Sequence, residues 1–161
     1  MARRWQLLLP GAVLLAAVIV AVAFAARGGD EGAPTVQEYK ASVVNTRDRV
    51  DFALSQLPAA QSEEDFLARL DGAGGLIEEA IDDFDDAGAP PRFEEESERL
   101  VRHLRQLAAD LQGTAAQARD VGFERLLGGA RGLNFPSWDK ANATLAELRR
   151  QGIAVKPIAR H

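Results

Sequence analysis

Residues 93–118 read FEEESERLVRHLRQLAADLQGTAAQA and contain the clearest helical pattern in the chain. Apolar or small residues recur every three or four positions, and mostly polar and charged residues separate them. This stripe consists of Phe93, Ser97, Leu100, Leu104, Leu107, Leu111, Ala115 and Ala118. Its period predicts an amphipathic α-helix with one buried face. The helix should begin near Pro91, because proline suits a first helical turn and the glutamates that follow suit the helix dipole.

Two earlier segments show the same period. In the first, Thr35-Val36-Gln37-Glu38 has the form of a capping box, and Pro58 should end the helix. The second should begin at an N-cap, Ser62, and stop at Gly88. The first stripe is Val36, Tyr39, Val43, Val50, Ala53, Leu54 and Leu57, and the second is Phe66, Leu70, Ala73, Ile77, Ile81 and Phe84. The second stripe keeps its phase across three glycines, Gly72, Gly74 and Gly75, so one continuous helix is predicted.

The remaining chain predicts a short fourth helix. Residues 121–135 are interrupted by glycines, with one helical turn expected around Phe123, Leu126 and Leu127. The fourth helix should be capped by Ser137 and should end at Gly152. Its stripe is Trp138, Ala141, Leu145 and Leu148, and the extended tail after it should press Ile153, Val155 and Ile158 on the bundle.

Four amphipathic segments with short connections predict an all-α fold, an antiparallel four-helix-type bundle, preceded by an N-terminal transmembrane helix. The predicted organisation is a cytoplasmic tip and signal anchor at 1–26 and a flexible linker at 27–34. The extracytoplasmic bundle follows at 35–152, and the extended tail at 153–161.

The membrane anchor is predicted from Leu7–Ala26, twenty uncharged and mostly apolar residues. As a helix this run spans about 30 Å, the thickness of the hydrocarbon core of a bilayer. Arg3 and Arg4 precede it, so the positive-inside rule places the N-terminus in the cytoplasm and residues 27–161 outside. The alternative is a cleaved signal peptide and a secreted domain, since small-residue cleavage sites occur before Phe24 and Arg27.

Composition limits the function. The 24 acidic residues all lie after residue 26, against 17 of the 19 basic residues, so nucleic acid is not an expected partner. The chain has no cysteine, so the exported domain folds without disulfides. His103 is the only interior histidine and Met1 the only methionine, which leaves little for catalysis or haem ligation. We therefore expect no enzyme activity, no catalytic residues and no cofactor.

Acidic residues are concentrated in one part of the chain. Residues 61–98 contain 14 acidic residues but only two basic ones, Arg69 and Arg92. A tight turn joins the second and third helices and should bring many of these carboxylates to one tip. A solvated acidic face is the favoured interpretation; a weak alternative is a cation site, for which oxygen ligands suit calcium. The candidate residues are Asp82, Asp85, Asp86, Glu94 and Glu95.

Val44 and Phe52 lie off the apolar stripe of the first helix. The favoured interpretation is that the tail or the 121–135 segment covers them. The alternative is a contact face for a partner protein or for a second copy of the chain.

The order of several short motifs resembles a known group. Glu38-Tyr39 opens the first helix, Ala89-Pro90-Pro91 precedes the leucine-rich third helix, and Gly152-Ile153 follows the last helix. The chain resembles uncharacterised exported or membrane-anchored helical proteins of actinobacteria and their relatives, a group without an assigned activity. Members often carry one cysteine in the first helix and one near the end, and the regions around Asn45 and Val155 have none here.

Together these features predict a non-enzymatic, membrane-anchored extracytoplasmic bundle. Its expected partners are the lipid bilayer, through Leu7–Ala26, and an envelope protein of unknown identity. The alternative is a sensor domain that binds an ion or a small molecule at the acidic tip or in the bundle interior.

Overall fold

The structure, a computed structural model, describes residues 32–121 and 135–160. Four α-helices lie in these ranges: α1 (Val36–Ser55), α2 (Glu63–Ala87), α3 (Glu94–Val121) and α4 (Pro136–Arg150). They belong to one compact unit, Ala33–His161. The described residues contain no helix with both the length and the apolar composition needed to cross a bilayer. The predicted anchor, most of the linker and the turn at residues 123–127 lie outside the described residues.

The start of α1 confirms the predicted capping box. The backbone N–H of Glu38 donates to the Thr35 hydroxyl at 3.3 Å, and the N–H of Thr35 donates to the Glu38 carboxylate at 2.9 Å. These bonds satisfy two backbone donors that a helix N-terminus leaves free. After Ser55 a short 3₁₀ turn, Leu57–Ala59, includes Pro58 and ends the helical path as predicted.

Helix α2 is continuous over 25 residues, as the phase of its stripe predicted. Ser62 caps it by accepting the N–H of Asp65 at 3.2 Å, and Gly88 ends it with a φ of 67°. Gly74 has a packing role: a Cβ built there would lie 3.1 Å from Cγ of Gln112 and 3.5 Å from the backbone oxygen of Ala108. The missing side chain therefore lets α3 approach α2 closely.

A 3₁₀ turn at Pro91–Phe93 leads directly into α3, close to the predicted start. The N-terminus of α4 differs from the prediction. Phe135 is the N-cap, and Ser137 lies inside the first turn, where its hydroxyl donates to the carboxylate of Asp110 on α3 at 2.5 Å. Pro136 explains the difference, because its ring presets the helical φ and it has no N–H that needs a cap.

Helix α4 ends in a Schellman motif. The N–H of Ile153 donates to the carbonyl of Leu148 at 2.9 Å, and that of Gly152 donates to Arg149 at 3.1 Å. Gly152 has a φ of 99°, a conformation that L side chains rarely adopt. The chain then runs extended to residue 160, and the three predicted tail residues, Ile153, Val155 and Ile158, are buried.

The helices pack as an antiparallel bundle. Glu78 and Asp85 of α2 meet Gln112 and Arg105 of α3, so the later residue in one helix faces the earlier residue in the other. The same reversal joins α3 and α4, since Asp110 meets Ser137 and Glu96 meets Gln151 just after α4. The predicted stripe residues whose burial the structure describes, all but Ala118, form the core, with one exception. Val36 is 41 % exposed, because it lies in the first turn of α1 at the end of the bundle.

A buried tyrosine fixes that end of the bundle. The ring of Tyr39 stacks on Phe93 with centroids 5.0 Å apart and lies 6.0 Å from Phe84. Ser97 donates its hydroxyl to the carbonyl of Phe93 at 2.8 Å, so the Tyr39 hydroxyl is the donor in its 2.6 Å bond to Ser97. Burial raises the pKa of Tyr39 and keeps the phenol neutral.

The three glycines of α2 provide a test of this packing. Gly72 and Gly75 face open space, so Gly72→Ala and Gly75→Ala should each raise the free energy of unfolding by about 0.5–1 kcal/mol. Gly74→Ala should gain less or destabilise, because its methyl group meets Gln112 and the backbone of Ala108. Chemical denaturation of the full chain, followed by Trp138 fluorescence in a Trp5→Phe background, measures this. Equal gains at all three positions would contradict the close approach of α3.

Candidate functional site

The five acidic candidates lie on the α2–α3 hairpin, and two of them are next to arginines. Among residues 32–121 and 135–160, which include all five candidates, no three His, Cys, Asp or Glu side chains are placed to hold a metal ion. Asp85 instead forms an ion pair with Arg105 at 3.1 Å, and Glu95 lies 3.9 Å from Arg99. Asp82, Asp86 and Glu94 are exposed. The exposure of these carboxylates is compatible with the favoured interpretation, a solvated acidic face, and the cation site stays a prediction.

The counter-charges come from two other helices. Arg49 of α1 pairs with Asp83 and lies 3.5 Å from Glu79, which the sequence pattern of α2 alone could not show. Glu96 of α3 is buried, accepts from Gln151 at 2.9 Å and from Arg99 at 3.0 Å, and its pKa is lowered, mainly by the Gln151 hydrogen bond. The contacts of Arg49 and Gln151 thus join different elements of the fold, and Arg99 holds Glu96 from within α3.

A groove on the outer side of α2 and α3 has mixed charge. Asp85, Glu98, Arg102 and Arg105 line it together with Val101 and Gln106, and its volume is about 470 Å³. The Asp85–Arg105 ion pair, in which both side chains are more than half exposed, crosses its lining. Exposed pairs of this kind contribute little to stability.

The clearest surface feature is apolar and lies between α1 and α2. Phe52 of α1 is 61 % exposed and Leu76 of α2 is 40 % exposed. Both line one groove of about 290 Å³, which Asp48 and Arg49 border. Two large apolar side chains from different helices therefore form one exposed patch, which we call the Phe52–Leu76 groove. Such patches on protein surfaces mark interaction sites.

The two residues of the predicted partner face, Val44 and Phe52, differ in their surroundings. Val44 is only partly exposed and packs against the core, whereas Phe52 is covered neither by the tail nor by another described element. Leu76 was missed because it lies off the apolar stripe of α2, directly before the stripe residue Ile77. The sequence did show one apolar residue off the stripe on each of the two helices. A single sequence does not show that these two residues lie next to each other in the fold.

Comparison of the chain with family models, with curated proteins and with solved structures finds no match. The resemblance to exported actinobacterial proteins therefore stays a prediction, and the function has to be argued from the residues and the geometry alone.

His103 provides a pH test of the α3–α4 interface. Partial burial lowers its pKa, and the positive charges of Arg102, Lys140 and Arg99 add to this effect. A lowered folded-state pKa means that the unfolded chain binds the proton more readily, so His103 supports folding above its unfolded pKa of about 6.5 and loses this contribution as pH falls below it.

We therefore expect His103→Gln to flatten the loss of melting temperature between pH 7.5 and 5.5. The measurement compares the two thermal unfolding curves at each pH, with Arg102→Gln, an exposed neighbour on α3, as a second variant. That change removes one positive charge and should reduce the pH dependence only in part. A pH dependence in His103→Gln equal to that of the parent chain would contradict this assignment.

Proposed function

We propose that the chain is a membrane-anchored extracytoplasmic helical bundle that acts by binding an envelope protein and not by catalysing a reaction. The observation that carries this proposal is the Phe52–Leu76 groove, which presents apolar surface on a bundle whose core residues are otherwise buried. Exposed apolar patches bordered by charged residues are typical of protein–protein contacts. The anchor, from Leu7–Ala26, supplies the proposed location.

The polar groups inside the bundle support a role without catalysis. Tyr39 bonds to Ser97, Ser137 bonds to Asp110, and Glu96 is held by two donors. Except for Arg99 and Glu96, which are both on α3, each pair joins different elements of the fold, which is what buried polar groups do when they specify packing. His103, the one interior histidine, lies among cations that disfavour its protonation.

The location is tested with a reporter enzyme that is active only outside the cytoplasm, fused to the C-terminus of the full chain. We expect activity, together with retention in membranes through high-salt and carbonate washes, because a spanning helix is not removed by either treatment. A mature chain that is released from membranes and begins at Phe24 or Arg27 would replace the anchor with a cleaved signal peptide.

The partner face is tested by placing a photoreactive amino acid at position 52 or 76 of the full chain in its own membranes. We expect the same cross-linked protein from both positions, and none from position 143, an exposed alanine on α4. Leu76→Ser should abolish the adduct formed from position 52. Because Leu76 is largely exposed, this change should cost under about 1 kcal/mol of stability.

A chance encounter would give an adduct that does not depend on the labelled position or on Leu76. Cross-linking that is equal at positions 52 and 143, or an adduct that persists in Leu76→Ser, would overturn the assignment of this groove.

A further inference from the structure

The Phe52–Leu76 groove has two chemically different ends. At one end, which we call the apolar end, the side chains of Phe52 and Leu76 face the solvent. At the other end Arg49 of α1 reaches Glu79 and Asp83 of α2. On each helix three residues separate the apolar side chain from the nearest of these charged ones. About one helical turn therefore lies between the two ends of the groove.

The charged end is acidic at its surface. Asp48, Glu79 and Asp83 are each more than half exposed, whereas the side chain of Arg49 is only 27 % exposed. An approaching partner thus meets three accessible carboxylates, which we call the acidic end, and one guanidinium that two of them already engage. Exposed ion pairs of this kind are weak, so cations of a partner can share these carboxylates.

The groove also lies on the acidic side of the bundle. Helices α1 and α2 contain 13 acidic and four basic residues, a net charge of −9, whereas α3 and α4 contain eight and seven, a net charge of −1. Such a charge distribution attracts a basic partner and repels an acidic one. It disfavours a second copy docked through the same groove, because two acidic surfaces would then face each other. An anionic lipid surface is disfavoured for the same reason.

The dimensions of the groove suit a helix better than a small molecule. Its volume of about 290 Å³ lies just below the range of about 300–1,000 Å³ that is typical of small-molecule sites. Amphipathic helices bind in shallow grooves through side chains three or four positions apart, which lie about 5–6 Å from each other on one face. This spacing matches the single turn between the apolar end and the acidic end.

We propose that the partner bound at the Phe52–Leu76 groove is a basic amphipathic helix. One of its aliphatic side chains enters the apolar end, and a Lys or Arg three or four residues away reaches the acidic end. This inference rests on the proposed function, since it names the chemistry of the protein that the groove binds. Because the two ends differ, the carboxylates determine the direction in which the helix lies as well as the preference for a basic partner.

The acidic end is tested in the full chain in its own membranes, with a photoreactive amino acid at position 52. Glu79→Gln combined with Asp83→Asn removes two carboxylates from the groove. The matched control combines Glu78→Gln with Asp82→Asn. Glu78 bonds to Gln112 of α3, and Asp82 lies one turn later on the same side of α2, so the control removes equal charge from a different face. All four residues are exposed, so both variants should fold, and their melting temperatures check this.

We expect the first pair of changes to lower the yield of the cross-linked protein by about fivefold or more, because two ion pairs with the partner are lost and Arg49 is left without its carboxylates. The control pair should lower the yield by less than about twofold. Raising the salt from about 0.1 M to about 1 M should also lower the yield in the parent chain, since the Debye length falls from about 10 Å to about 3 Å. The Glu79 and Asp83 variant should respond less to salt.

Mapping of the cross-linked peptide by mass spectrometry identifies the segment of the partner. We expect Lys or Arg three or four residues from the cross-linked position. Equal yields from the two pairs of variants, or a cross-linked segment without basic residues at that spacing, overturn the basic helix, although an adduct from positions 52 and 76 still supports a partner at the groove. An adduct of the chain with itself also overturns it. No adduct from either position contradicts the proposed function, and this inference with it.

Discussion

The buried hydroxyl of Tyr39 is the constraint on which the alignment of the bundle depends. A buried phenol needs a hydrogen-bond partner, and here it reaches Ser97 on α3 while its ring stacks on Phe93. Because Ser97 has already donated its own proton to Phe93, only one arrangement satisfies all three groups. A sliding of α1 along its neighbours would break this arrangement, so the register of α1 against the α2–α3 hairpin is fixed at one end.

The alignment set by Tyr39 also determines how charge is distributed. It places Arg49 beside Glu79 and Asp83, and so α1 supplies positive charge to an acidic α2 that has little of its own. Each such pair is partly exposed and contributes little alone, on the order of 0–1 kcal/mol. Together they direct the acidic side chains toward different neighbours. A dense acidic sequence is therefore compatible with a closely packed helix hairpin.

Much of the fold could be predicted because helical period and capping are local properties. The capping box of Thr35, the continuity of α2 across its glycines and the buried faces of all four helices follow from residues within a few positions of each other. The N-cap of α4 was predicted wrongly, since Pro136 starts the helix one residue before Ser137, whose hydroxyl bonds instead to Asp110 of α3. Helical period does not reveal which distant residue competes for a hydroxyl.

The surface sites could be predicted only in part, for the same reason. Phe52 was recognised as an off-stripe apolar residue, but its neighbour Leu76 comes from another helix and has no periodic signal. The contacts of Asn142 with Ile158 and of Arg47 with Pro157 join side chains to backbone atoms, which every residue possesses. Composition therefore gives no indication of them. The ion pairs of Arg49 were not predicted, because the order of charges along the sequence does not show which side chains meet between two helices.

The position of the tail has a consequence for how this chain acquires its structure. Arg47 and Pro157 are separated by 110 residues, yet their contact helps to join α1 to the end of the chain. Contacts between such distant residues require closure of a large loop, which delays folding relative to the local formation of helices. During synthesis, α1, α2 and α3 can pair as they emerge, but the side of α1 that carries Arg47 lacks its partner until Pro157 has been added. Thus α1, the first of the described helices to be synthesised, is among the last to complete its native contacts.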